Sequence, residues 1–279
     1  MFDFSEDEWV FMIAASVGAL MGGWRWYLTL TRVSPLHASA RSQVLLMLAP
    51  LASLLVLMLV LQTLADPVYV AGHLDYTLLF LVGGASWVFA ATEAFPLLGV
   101  SAADDAMRRH NPAAAIAVSG GVFGVMLAYA GSNIGNGPTI WTTLLPAFVA
   151  TGVLLLLWFI LELIGGSFEA ITLDRDVAAG IRLAAFLVCA GAILGRAMAG
   201  DWLDWNSTFQ EFIALGWPAA LLVPAMTMMN RRYAPTPQMP HPDPGKCGVT
   251  PALLLIVLTA IYLVYLGIPE VAPPGGTSA

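Results

Sequence analysis

The sequence predicts an all-α polytopic membrane protein with eight transmembrane helices, and three observations carry that expectation. Only 10% of the 279 residues are charged and 59% are hydrophobic, against roughly 25% charged in a soluble domain. So few charges cannot cover a water-facing surface, and the mean hydropathy of +0.80 agrees. Apolar runs of the roughly 20 residues needed to cross a bilayer recur eight times along the chain. Outside those runs, Lys and Arg fall only in alternate breaks, the asymmetry that orients spans in a membrane.

The first run, Trp9 to Thr31, follows an acidic start with Asp3, Glu6, Asp7 and Glu8. A cleaved signal peptide begins with a basic region, so this run reads as a span. Arg32 and Arg41 fill the break before the second run, Gln43 to Leu64, whereas the next break holds Asp66 and Asp75 and no Lys or Arg. The third run, Tyr76 to Leu98, is followed by Arg108 and Arg109. The fourth, Ala113 to Asn133, ends in the turn-rich stretch Gly131 to Pro138. That stretch reads as a tight helix–helix turn or as a cation gate built of backbone carbonyls. The fifth run spans Trp141 to Ile164, with Arg175 before the sixth, Ala178 to Ala199. Asp201, Asp204 and Glu211 precede the seventh, Phe212 to Met229. Arg231, Arg232 and Lys246 flank five prolines from Pro235 to Pro244, a segment that reads as irregular or polyproline-like and outside the hydrocarbon. The eighth run is Val249 to Leu266.

This alternation predicts four basic cytoplasmic loops, with both termini extracytoplasmic. The outer face is then rich in carboxylates, from Asp3 to Glu270. It either enriches cations or simply records the sorting of basic residues to the inside. The chain divides into an N-terminal hairpin (1–75), a four-helix unit (76–202), and a C-terminal hairpin with a short tail (203–279).

An internal repeat lies in the middle unit. Asn111-Pro112-Ala113-Ala114 and Asp176-Val177-Ala178-Ala179 stand 65 residues apart, and each opens a helix running in the same direction. Asn111 and Asp176 suit N-caps, and Pro112 suits the first helical position. Gly120 with Gly124, and Gly191 with Gly195, form G-x-x-x-G pairs that let helices approach closely.

Charges inside the runs need a reason, because each costs about 2.5–3.5 kcal/mol on insertion scales. Arg25, Glu93, Glu162 and Arg182 all fall in the cytoplasmic third and form a candidate intramembrane polar site. Glu162 is expected to pair with Arg182, and Glu93 with Arg25 or Arg182. The alternative is that the arginines snorkel to headgroups. Arg196, near the outer end, is expected to pair locally with Asp201. Arg182, Cys189 and Arg196 recur at seven-residue spacing and line one helix stripe, facing either a polar crevice or a packed seam. Trp9, Trp141, Trp202, Trp205 and Trp217 read as an interfacial belt. Cys189 and Cys247 lie at different depths, so no mutual disulfide is expected. No catalytic, nucleotide-binding or metal-ligand motif is present, and no cofactor or nucleic-acid partner is expected.

The runs Arg109 to Gly124 and Asp174 to Gly195 resemble the two halves of a bacterial inner-membrane family catalogued as domain of unknown function 350. In that family an N-x-A-A element opens the second and fourth of four spans. The resemblance covers about Tyr76 to Trp202. Asn111 to Ala114 fit the element, and Asp176 departs from it by replacing Asn. The resemblance implies a bacterial plasma-membrane location and an association with envelope-stress proteins of the phage-shock type and with ATP-grasp, glutathionylspermidine-synthase-like proteins. Two functional classes stay open: a small-ion channel or transporter, or a non-catalytic, stress-associated scaffold docking cytosolic or membrane partners. An enzyme is not expected, since no nucleophile and base can be assembled within the spans. The lipid bilayer is the expected partner, and the small-residue faces leave room for a homo-oligomer.

Overall fold

The computed structural model describes residues 4–32, 40–67, 70–236 and 242–269. Among them lie ten α-helices and no strand: α1 (Glu6–Arg32), α2 (Ala40–Thr63), α3 (Leu74–Thr92), α4 (Pro112–Gly131), α5 (Trp141–Gly165), α6 (Ser167–Thr172), α7 (Val177–Ala197), α8 (Trp205–Gly216), α9 (Pro218–Arg232) and α10 (Thr250–Leu266). Asp3, Glu270, Pro237 and Pro240 lie outside the described residues.

Seven helical stretches are long and apolar enough to cross a membrane: α2, α3, α4, α5, α7, the joined pair α8–α9, and α10 with the π turn before it. The first predicted run forms a helix of 27 residues but is not among the seven. Trp24-Arg25-Trp26 and the glycines at 18, 22 and 23 dilute its apolar character. The third run also departs from expectation. Its helix stops at Thr92, and Phe95–Leu98 continues as a 3-10 turn. Pro96 explains the break, since it has no N–H and disfavours the α conformation just before it. The break before the sixth run, read as loop, contains the short helix α6.

Arg32, Arg108, Arg175 and Arg231 gather at one end of the bundle, the basic end. Asp7, Asp75, Asp201 and Glu211 gather at the other, the acidic end. The centre is the pair α4 and α7, buried over 83% and 72% of their apolar windows, against 22–44% for the other spans. Small residues make this possible. A Cβ at Gly120 would collide with the Ala184 backbone, one at Gly124 with the Leu187 carbonyl, one at Gly191 with Gly124, and one at Gly195 with Leu127. Contacts advance together, from Ala113 against Gly180 to Gly131 against Gly195, so the two helices run parallel. α2 covers α4, α10 covers α7, α3 packs on α1, and α5 bridges α4, α7 and α9. The outward faces of α2, α5 and α10 are apolar, with Leu48, Leu55, Phe148, Leu156 and Val264 exposed, as lipid requires.

Candidate functional site

Arg25 and Glu93 do meet, Nη2 to Oε2 at 3.1 Å, but their side chains are 67% and 57% exposed. Glu93 is the C-cap residue of α3 rather than part of the helix. A pair this exposed is a rim feature worth little.

Arg182 and Glu162 are not partners. Arg182 is 1% exposed and turns toward α9 and the π turn before α10. Its Nε donates to Asn230 Oδ1 at 3.1 Å, its Nη1 donates to the Cys247 carbonyl, and its Nη2 lies 3.7 Å from Asp176 Oδ2. The Tyr233 ring lies beneath the guanidinium at 5.9 Å, and Asn230 Nδ2 donates to Ser167 Oγ at 2.7 Å. Glu162 instead accepts from Trp158 Nε1 at 3.2 Å and from the Phe168 N–H at 2.8 Å, closing the start of α6. The expected pair fails because α9 and the turn before α10 supply nearer partners for Arg182. Nothing in the run-by-run spacing points to them.

The two capping residues differ for a physical reason. Asn111 Oδ1 accepts from Ala113 N and Ala114 N at 3.0 and 3.3 Å, while its Nδ2 donates to the Ile171 carbonyl at 2.6 Å. That second bond requires an amide. Asp176 Oδ1 accepts from Ala178 N at 2.9 Å, and its other oxygen faces the Arg182 guanidinium. That position requires a carboxylate. Burial pushes the Asp176 carboxyl above its usual range, with the Ala178 N–H and then Arg182 pulling it back. Both caps follow a residue with positive φ, His110 at 52° and Arg175 at 54°. Asn111→Ala is expected to cost about 2–4 kcal/mol, from the lost cap and the stranded Ile171 carbonyl. Asn111→Asp keeps the cap and still destabilises, because it sets a carboxylate against that carbonyl. Chemical unfolding in micelles checks both.

At the acidic end, the stretch from Gly131 to Pro138 forms a clasp with the segment after α7. Gly200 N donates to Ile134 O, Trp202 N to Asn136 O, and Asn136 N to Asp201 Oδ1, each at 2.8 Å. Gly135 (φ 116°) leaves the space that the Gly200 carbonyl fills. Asp201 is therefore engaged by Asn136, not by Arg196. The Arg196 Nε and Nη2 donate to the Gly267 and Leu266 carbonyls at 2.9 and 3.4 Å, tying down the end of α10. The stripe of Arg182, Cys189 and Arg196 thus faces packed neighbours at Arg182 and Cys189, with Arg196 reaching only the end of α10, and Cys189 and Cys247 are both buried and free.

Beside the clasp lies a cavity of about 330 Å³ lined by Glu8, Asp66, Tyr76, Phe80, Asn133 and residues 135–140. Asn133 is 5% exposed. Its Nδ2 donates to the Tyr129 carbonyl at 2.7 Å, while its Oδ1 has no hydrogen-bond donor among the described residues. Separate polar pairs lie further along α3, α4 and α5. The Tyr129 hydroxyl donates to Phe80 O at 3.2 Å, Trp87 Nε1 donates to Thr151 Oγ1 at 3.0 Å, and Trp158 Nε1 donates to Glu162. The Trp87 and Tyr129 rings are 5.6 Å apart. Tyr129, Trp87 and Thr151 are not legible as site residues, whereas Asn133 falls in the turn-rich stretch read above as a turn or gate. The available signal was Trp87 and Trp158 at mid-span, where an indole N–H needs a buried acceptor instead of a headgroup. No cluster of His, Cys, Asp and Glu fit to hold a metal occurs among the described residues.

A family model described as Domain of Unknown Function (DUF350) matches residues 48–198, just over half of the chain. The match begins inside α2, within the segment 1–75 set apart above as an N-terminal hairpin, and ends just past α7. No curated protein and no solved structure matches the chain.

Proposed function

Because this chain belongs to the family described as Domain of Unknown Function (DUF350), a description that assigns no activity, we propose a function from its own geometry: passage of a small cation along the α3–α4–α5 interface. The observation that carries this reading is the acidic-end cavity. It holds two carboxylate side chains and a buried, undonated Asn133 oxygen, and separate polar pairs lie further along α3, α4 and α5, among them Trp158 with Glu162. Carboxylate and carbonyl oxygens replace a cation's hydration shell. The parallel core of α4 and α7 has no lumen, so passage requires α3 or α5 to shift against it.

In this reading the protein has eight spans, with both termini outside a bacterial inner membrane. α1 supports the eighth span. It lies alongside α3 over the same depth, from Phe11 against Gly83 to Gly22 against Phe89. The gathering of Arg at one end supports the orientation. The internal repeat is supported by shared features at one offset of 65: His110 and Arg175, Asn111 and Asp176, Gly135 and Gly200. We assign it no catalysis. The closed α4–α7 contact favours a second reading, a non-catalytic, stress-associated membrane component whose Arg231 and Arg232 dock acidic partners or lipid.

Flux from proteoliposomes separates the two. Wild-type protein is expected to carry H⁺, Na⁺ or K⁺ above protein-free vesicles and to leave Cl⁻ unmoved. Glu162→Gln is expected to lower that flux about tenfold or more while the protein stays folded. Absence of cation flux, or flux unchanged in folded Glu162→Gln, overturns cation passage and leaves the scaffold reading.

A further inference from the structure

A second cavity lies on the outer surface at the acidic end, between α2 and α10. It is a groove of about 480 Å³, floored by Leu127 and Ala130 of α4 and Ala192 of α7, and walled by Val60 and Val264. Val264 is 81% exposed, so the groove opens toward the surroundings of the bundle, which for these helices is lipid. Its lining is apolar except at its head, where Arg196 stands.

Arg196 is the one Lys or Arg of the chain near this end. Two of its guanidinium nitrogens are spent on the last carbonyls of α10, and its Nη1 has no hydrogen-bond partner among the described residues. It forms no ion pair among the described residues. The depth is that of the headgroups: α10 ends at Leu266, and the edge-to-face pair Trp202 and Trp205 lies at the same end. A fixed cation with a free donor at the headgroup level, heading an apolar groove open to lipid, matches one chemistry.

We infer that this groove is a phospholipid site, with one acyl chain lying on the α4–α7 floor and the phosphate accepting from Arg196 Nη1. A guanidinium donating to a phosphate oxygen is a charge-assisted bond. The acyl chain covers Leu127 and Ala192, which the protein leaves partly exposed. This inference is independent of whether a cation crosses elsewhere in the bundle.

Native mass spectrometry of the full chain in detergent tests it. The probes are palmitoyl-oleoyl phosphatidylglycerol, the diacylglycerol with the same chains, and glycerol 3-phosphate. Phosphatidylglycerol is expected to stay bound. Diacylglycerol, which lacks the phosphate, is expected to be lost, and glycerol 3-phosphate, which lacks the chains, is not expected to compete. Arg196→Gln is expected to weaken retention about tenfold, the effect of one charge-assisted bond, and Arg196→Lys to restore part of it. Since Arg196 also holds α10, Ala192→Phe is the second variant: it fills the groove one turn away and is expected to abolish retention in a folded protein. Equal retention of both lipids, retention unchanged in either folded variant, displacement by glycerol 3-phosphate, or crosslinking of two chains through the groove would each overturn the site.

Discussion

Arg182→Gln is expected to lower unfolding stability by about 3–5 kcal/mol, the cost of removing one partner from a buried charge pair. The substitution leaves Asp176 Oδ2 without its cation and strands Asn230 Oδ1 and the Cys247 carbonyl, both buried. The geometry also says what rescues it. Adding Asp176→Asn removes the orphaned charge while keeping an N-cap oxygen for Ala178, so the double variant recovers part of the loss. Adding Glu162→Gln recovers nothing, because Glu162 bonds to Trp158 and Phe168 instead. Unfolding by denaturant in micelles, read by tryptophan fluorescence, distinguishes the two doubles. Rescue by Glu162→Gln would mean the guanidinium and that carboxylate meet after all.

The second large effect is at the centre of the bundle. Gly191→Leu is expected to cost about 3 kcal/mol or more, at or beyond the upper end of overpacking penalties. The Cβ alone collides with the backbone of Gly124, and backbone, unlike the tip of a flexible side chain, cannot move aside. The two central helices must separate, and every close contact from Gly120 to Gly131 opens with them. Gly152→Leu is the control. Gly152 lies on α5 with open space where its Cβ would be, so the same change there is expected to leave stability near the wild-type value. A comparable loss at both positions would show that intrinsic glycine effects, not close packing, govern the core.

The residues legible as special in the chain were legible for different reasons, and not all of them served the expected end. Asn111 and Asp176 read as caps, because capping is a local event between a side chain and the N–H groups two or three residues on. The glycines of α4 and α7 read as a close-packing face for the same reason, since spacing along one helix sets which residues share a side. The Asn-to-Asp departure has its reason in the tertiary structure, with Ile171 beside one cap and Arg182 beside the other. The partners of Glu162, Arg182 and Arg196 are not legible from nearby positions or adjacent runs, because they come from α6, α9, the turn before α10 and the end of α10.

What the sequence by itself determined is the solvent and the presence of long apolar helices. Too few charges for water, apolar runs of spanning length and Arg confined to alternate breaks follow from composition and order alone, because the bilayer imposes those constraints on each segment separately. What only the tertiary structure decided is which segments meet. The burial of α4 and α7 at the centre, the cavity beside Asn133 and the groove headed by Arg196 all arise where helices distant in sequence converge. Their energetics depend on contacts across the bundle, which no single segment encodes.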